Sequence, residues 1–360
     1  MDIISTKGGL KMTKIICTIG KHDSVCTLAK MIEAGMCIAR LNFSHGNFDE
    51  HLQKVKNIKE AEKITGKKIE ILGDLKGIEI RLGGFNNGDS VDISKNDTVI
   101  LQKDYVSKAE NVIALPVDIS LFVEELKEND VILLDDGKIQ LNVESIEKEA
   151  IITTALNTGV ISERKSINIP NVHLNIPFVT EYDKEVIKFC QEHKFDYLAL
   201  SFCRNEEDLD EVIDTLLEND PDYSVVSYPS LIVKIEDKEG VSNIQNFSWN
   251  PYVDGIMVAR GDLGVEIPQE EVPVVERKVI KECLPNKSGS KCCFSVVGTQ
   301  MLESMCENPR PTRAEVNDVF TAVELGADFI MLSGETASGN YPIEAVETMR
   351  KIANRAEAEK

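Results

Sequence analysis

The chain has 360 residues, 42% hydrophobic and 28% charged, the balance of a globular domain rather than of a disordered or fibrous chain. A formal net charge of −21 argues against non-specific nucleic-acid binding, and any phosphate-bearing ligand must then be held by a local basic cluster. No apolar run approaches the roughly 18 residues of a spanning helix, and the opening "MDIISTKGGLKMTK" has no apolar core of a secretory signal, so a cytoplasmic protein with neither nucleic-acid nor membrane partners is expected.

In chain order, the first apolar runs are "KIICTIG" (14–20), "CIARLNF" (37–43) and "IEILGDL" (69–75). The helix-like "DEHLQKVKNIKEAEKI" stands between the second and third. Residues 83–172 break this rhythm with short β-like pieces and turns, and "DDG" at 135–137 is a hairpin signal. The rhythm then resumes with "YLALSF" (197–202), "LIVKIE" (231–236), "GIMVAR" (255–260), "CCFSVVG" (292–298) and "FIMLSG" (329–334). "TRAEVNDVFTAVELG" precedes the last of these, opening after Pro309 and Pro311 and stopping at Gly326. Eight β-branched-rich runs alternating with helical patterns predict an α/β fold, a (β/α)8 TIM barrel over 14–82 and 173–360. Residues 83–172 are expected to form a small β-barrel-like lid domain inserted after the third barrel strand. The chain ends soon after the helix expected to follow the eighth strand, leaving little room for another domain.

The nine cysteines include no Cys-x-x-Cys pair, and adjacent Cys292 and Cys293 point to opposite faces of a strand. Buried reduced thiols are expected, with no zinc site and no disulfide.

In such a barrel the chemistry lies at the C-terminal strand ends. The second run ends with Arg40, Asn42, Ser44 and His45, and the third with Asp74, Lys76, Glu79 and Arg81. "SFCR" ends the fourth and "SGET" the eighth. Lys234 and Glu236, two apart and so on one face, end the fifth. Arg260 and Asp262 end the sixth, Thr299 and Gln300 the seventh. Singly, most of these have plain structural readings: a Lys234–Glu236 ion pair, an Arg40–Asp74 pair, a Glu79–Arg81 pair, Asn42 and Ser44 as turn residues. Together, on successive strand ends, they fit phosphoryl transfer. Glu236 and Asp262 suit Mg²⁺ (or Mn²⁺), Lys234 and Arg40 can neutralise a phosphoryl group, and Asn42, Ser44 and Asp74 offer oxygens to a monovalent cation.

"TKIICTIG", "ARLNFSHG", "KGIEIR", "DDGKI", "KSINIP", "KIEDKEGVSNI", "DGIMVARGDLGVEIP", "TQMLESM", "NPRPTRAEVNDV" and "GADFIMLSGETASGNYPIEAV", in this order, resemble the pyruvate kinase family. The resemblance implies transfer of a phosphoryl group from phosphoenolpyruvate to ADP, giving pyruvate and ATP as in the last step of glycolysis. By motif, Lys234 would stabilise the moving phosphoryl group, Glu236 and Asp262 would hold Mg²⁺, and Thr299 would help protonate the enolate. Arg40, Lys234, Gly261, Asp262 and Thr299 would contact substrate, and His45, Arg81 and Lys165 would lie on the nucleotide side. Asn42, Ser44, Asp74 and the carbonyl of Leu75, where the family usually has Thr, would bind K⁺. The family's C-terminal allosteric domain is expected to be absent, and any homo-oligomer to form through the barrel face around "PRPTRAEVNDV".

The sequence departs from the family at "GKHDS" (20–24), "DLKGIEIR" (74–81), "KSINIP" (165–170) and "ECLPNKSGSKCCFSVVGTQ" (282–300). Two other readings stand beside the main one: a metal-dependent lyase acting on phosphoenolpyruvate or pyruvate, and a catalytically impaired relative kept as a binding or regulatory protein.

Overall fold

The structure is a computed structural model that describes residues 12–85, 90–103, 106–109, 111–222, 229–285 and 293–359. All eight predicted runs form strands: Lys14–Thr18, Met36–Asn42, Glu70–Asp74, Tyr197–Leu200, Ser230–Ile235, Val253–Ala259, Phe294–Gly298 and Phe329–Leu332. They close into one parallel barrel in chain order, the eighth pairing the first with Lys14 opposite Phe329. A helix follows each strand, and the fold is an α/β TIM barrel carrying an inserted β domain.

Local signals set the helix ends. Asn47 caps Phe48–Thr65 by accepting from the Glu50 amide, and Gly66 closes it at φ 68°. Thr312 and Glu315 form a reciprocal capping box on Arg313–Leu325, which ends at Gly326 with φ 108°. A cap of this kind is worth about 1 kcal/mol.

Alternate strand residues fill the barrel. Ile16, Ile38, Leu72, Ile232, Met257 and Met331 belong to one buried cluster. Tyr197, Phe294 and Phe329 each begin a strand, so their rings plug the N-terminal end, with Phe294 and Phe329 centroids 4.5 Å apart. Gly255 makes room for this plug, since a Cβ there would lie 2.2 Å from the Phe294 ring. The apolar plug leaves the C-terminal end as the place for polar chemistry.

The chain divides into two compact units. The first comprises residues 1–77, 179–261 and 270–360; the second comprises 78–178 with 262–269. The second is wider than 83–172 because Ile80–Arg81 pairs with Ser166–Asn168, and because Asn168 donates to Glu266 Oε1 at 2.8 Å. Its strands form a mixed eight-stranded sheet and a two-stranded ladder. The "DDG" signal is a hairpin, Val131–Leu134 running antiparallel to Ile139–Ile146, with Asp135, Asp136 and Gly137 all at positive φ.

Cys17, Cys190 and Cys203 are buried free thiols that burial pushes well above the ordinary thiol range. Cys283 and Cys293 bring their sulfurs to within 3.1 Å of each other. Cys292 and the rest of the unusual 286–292 stretch lie outside the described residues, as does the N-terminal 1–11. Among the described residues no helix is long and apolar enough to cross a membrane.

Candidate active site

Period-2 geometry puts Ile232, Lys234 and Glu236 on one face of the fifth strand, the face that Ile232 turns into the barrel core. Lys234 Nζ lies 2.8 Å from Glu236 Oε1 and 3.2 Å from Asp74 Oδ1, and donates to Ser201 Oγ at 2.7 Å. Asp74 closes the third strand, opposite Asn42 in register, and takes Arg40 Nε on Oδ2 at 2.6 Å. Arg40 also donates to Thr18 Oγ1 at 2.8 Å. Two cations and two carboxylates thus balance inside one buried cluster built from four barrel strands and the fourth strand's end. Burial alone would raise the Asp74 carboxyl, but Arg40 and Lys234 beside it more than offset this and hold it below the usual carboxylate range.

The Glu236 geometry is built by backbone strain. Phe202 sits at φ 58°, unusual for a bulky residue, and this turns its amide onto Glu236 Oε2 at 2.6 Å. Ser201 just before it donates to the Leu75 carbonyl at 2.8 Å and lies 3.1 Å from Asp74 Oδ1. One strand end thereby serves both carboxylates and the lysine.

Asn42 Oδ1 accepts from the Ser44 amide at 3.0 Å, the turn geometry open to these residues from the sequence. Ser44 and His45 are exposed, and the His45 carbonyl lies 2.9 Å from Nε2 of buried His51. Burial lowers the His51 imidazole from its ordinary value. At the seventh strand end, Thr299 has φ 66°, accepts from the Gly261 amide at 2.8 Å and donates to the Gly298 carbonyl at 2.7 Å.

The nucleotide-side candidates are divided between the two units. His45 belongs to the first unit; Arg81 and Lys165 belong to the second. Arg81 pairs with Glu79 and donates to the Arg164 carbonyl at 2.7 Å. Lys165 Nζ lies 3.0 Å from Asp135 Oδ1, and Lys138 Nζ is 2.9 Å from Oδ2. Asp262 lies in the first turn of the short helix Arg260–Glu266 and falls in the second unit. Buried Glu335 of "SGET" accepts from the Leu302 amide at 3.0 Å and the Ser333 amide at 2.7 Å.

Thr18 and Ser201 were not singled out from the sequence. The only signal was a small hydroxyl at the polar end of an apolar run, which is too common to single out. The altered "GKHDS" segment packs on the chain after the eighth strand: Lys21 N donates to the Ala337 carbonyl at 2.9 Å, and His22 Nε2 is 2.6 Å from the Gly339 carbonyl.

The donor chemistry suits hard cations. Glu236 and Asp262 carry carboxylates, and Asn42, Ser44, Asp74 and the Leu75 carbonyl each offer an oxygen donor. Among the described residues no group of three or more His, Cys, Asp or Glu side chains is gathered to hold a metal alone. Donors of this kind suit Mg²⁺, which binds through one or two carboxylates and completes its shell with substrate oxygens and water.

Residues 10–346 match the family "Pyruvate kinase, barrel domain". Pyruvate kinase of Bacillus licheniformis is 45% identical over 351 residues, 97% of this chain and 57% of the relative. That of Geobacillus stearothermophilus is 44% identical over 96% of this chain and 57% of its own length. The crystal structure of a pyruvate kinase from Cryptosporidium parvum superposes with a TM-score of 0.87 at 37% identity, covering 100% of this chain and 72% of that one. The chain therefore spans little more than half the length of these bacterial relatives. With a barrel-domain match across nearly its whole length, and with that barrel's C-terminal end carrying the buried lysine–carboxylate cluster, the chain belongs to the pyruvate kinase family.

Proposed function

We propose that this chain transfers the phosphoryl group of phosphoenolpyruvate to ADP, yielding pyruvate and ATP. The observation that carries the reading is Lys234, held buried between Asp74, Ser201 and Glu236 at the C-terminal end of the barrel. A fixed cation in a water-poor site stabilises charge developing on a phosphoryl group far better than one in bulk water.

In this reading Lys234 faces the phosphoryl group in flight, and Arg40, oriented by Asp74 and Thr18, contacts the same group. Glu236 and, by its motif, Asp262 hold a divalent cation, Mg²⁺ or Mn²⁺, which when bound neutralises phosphate charge and orients the substrates. Gly261 contacts substrate beside Thr299, whose hydroxyl takes the Gly261 amide. Departure of the phosphoryl group leaves an enolate, and a proton delivered to its C3 through Thr299 gives pyruvate. Asn42, Ser44, Asp74 and the Leu75 carbonyl hold K⁺. His45 on the barrel unit, with Arg81 and Lys165 on the β unit, serve the nucleotide.

Coupled turnover with phosphoenolpyruvate, ADP, Mg²⁺ and K⁺ tests the reading. ATP formation that requires both substrates and the divalent ion is the expected result; carbon–carbon cleavage without ATP would replace transfer by a lyase reaction. With K⁺ and Na⁺ replaced by an organic cation at equal ionic strength, turnover should fall at least about tenfold, a loss of roughly 1.4 kcal/mol. Full activity there would withdraw the Asn42, Ser44, Asp74 and Leu75 assignment.

A further inference from the structure

We propose that Arg260 is a positioning residue for the proton-transfer half of this reaction, acting through the backbone of Thr299; the inference rests on the phosphoryl-transfer reading and on Thr299 facing the enolate. Thr299 is β-branched yet has φ 66°, and the next residue, Gln300, has φ 53°. Two consecutive left-handed residues that are not glycine do not hold that shape unaided. What holds Thr299 is its carbonyl, which accepts from Arg260 Nε at 3.2 Å and from a terminal Arg260 nitrogen at 2.7 Å.

Arg260 is itself fixed. Its other terminal nitrogen lies 3.1 Å from Glu276 Oε2 and 2.7 Å from Asp318 Oδ2, on the helices Val272–Glu282 and Arg313–Leu325. The nitrogen on the Thr299 carbonyl also lies 2.9 Å from Met301 Sδ. The guanidinium is therefore a strut between two helices and one strained carbonyl. Its fork shape matters: one edge binds the carbonyl through two N–H groups while the other end binds carboxylates, which a lysine ammonium cannot reproduce.

The consequence falls on the Thr299 hydroxyl. With the backbone held left-handed, Oγ1 accepts from the Gly261 amide and donates to the Gly298 carbonyl. Its lone pair and its proton both have assigned partners, so its place is set before substrate binds. Releasing the carbonyl lets the backbone leave the left-handed region and carries the hydroxyl away from Gly261. In the reaction, the enolate's double-bond electrons form the new C3–H bond, the proton comes through the Thr299 hydroxyl, and solvent replaces it. Arg260 touches none of the reacting atoms. Its loss should slow proton transfer at C3 and leave substrate binding nearly intact.

The test compares wild type with Arg260→Gln, Arg260→Lys and Asp318→Asn, the last loosening the strut without removing it. Three quantities are read: kcat and KM for phosphoenolpyruvate, exchange of the pyruvate methyl hydrogens with D₂O by NMR, and the thermal midpoint. Exchange is C3 protonation run backwards and needs no ADP. Arg260→Gln should lower kcat and methyl exchange by roughly 100-fold, the scale of a misplaced catalytic group, with KM changed less than about threefold. Arg260→Lys should recover little of this, and Asp318→Asn should lie between, with a thermal midpoint near wild type. If folded Arg260→Gln or Asp318→Asn keeps wild-type exchange, or loses only KM, the positioning role is wrong while the transfer reading stands. Wild-type protein that makes no ATP yet shows Arg260-dependent methyl exchange would sink the transfer reading and keep this one; wild type showing neither would overturn both.

Discussion

Two carboxylates in this protein each lie between two basic side chains, one in each unit, and they are not equivalent. Asp74 takes Arg40 and Lys234, and the three side chains are 1%, 10% and 8% exposed. Asp135 takes Lys138 and Lys165, with exposures of 11%, 67% and 37%. Both carboxyls are held below the ordinary carboxylate range, in each case with the basic neighbours offsetting the upward push of burial. The topology is the same and the dielectric differs. In the barrel cluster the charges are deprived of water and must satisfy one another, so removing one strands its partner. In the β-unit cluster water and salt can replace a lost partner, and the side chains are free to turn to another anion. The phosphoryl-transfer role proposed for Lys234 needs a cation of the first kind, and the nucleotide role proposed for Lys165 needs only the second.

The largest expected effect is on turnover. Lys234→Met should lower kcat by at least about 100-fold, near 3 kcal/mol in the transition state. Lys165→Met should act mainly on the KM for ADP. Steady-state kinetics of the two variants checks this, and a Lys234→Met enzyme keeping more than about a tenth of wild-type kcat would end the distinction.

Stability should separate the clusters next. Asp74→Asn leaves Arg40 and Lys234 without their shared carboxylate and should cost about 3 kcal/mol of unfolding free energy. Asp135→Asn keeps a residue type that tolerates the φ of 50° at that position and should leave the denaturation midpoint within replicate scatter. Urea unfolding of both variants reads the difference, and equal losses would show that burial does not govern it.

Acid should show the same contrast more weakly. A carboxyl lowered in the folded state adds stability that is complete above its unfolded pKa, about 3.9, and is lost as pH falls through the lower folded value. Stability of the wild type should therefore drop as pH goes below about 4, and Asp74→Asn should flatten that drop. Smallest of all should be the effect of salt. Raising it to about 1 M, where the screening length is near 3 Å, should erase what Asp135→Asn does to the acid profile and spare what Asp74→Asn does. Acid titrations followed by circular dichroism at low and high salt would show this, and equal salt sensitivity would contradict it.

The unequal legibility of the two ends of the argument has a physical source. The eight strands could be read because strands buried on both faces are almost continuously apolar, and helices between them carry caps such as Asn47 and Thr312. Lys234 and Glu236 could be placed on one face because strand geometry has a period of two. The plain readings of the same residues were legible too, and all four occur: Lys234 pairs with Glu236, Arg40 with Asp74, Glu79 with Arg81, and Asn42 takes the Ser44 amide in a turn. Such pairing is compatible with the proposed roles, since a buried cation must have a partner in any case.

What the amino-acid order determined alone is therefore what depends on near neighbours: strand and helix placement, the interruption between the third and fourth barrel strands, the hairpin at 135–137, and the faces that carry the polar groups. Tertiary structure decided the rest. Barrel closure sets the first strand beside the eighth, more than 300 residues on, and puts Ser201 between Lys234 and the Leu75 carbonyl. It turns Phe202 so that its amide meets Glu236, and it joins Arg260 to the carbonyl of Thr299 across 39 residues of chain. Such contacts join residues that share no local periodicity, so nothing in the spacing encodes them; they exist because a closed ring of strands leaves its ends one small space, and unlike charges brought there together must find partners among whatever side chains arrive.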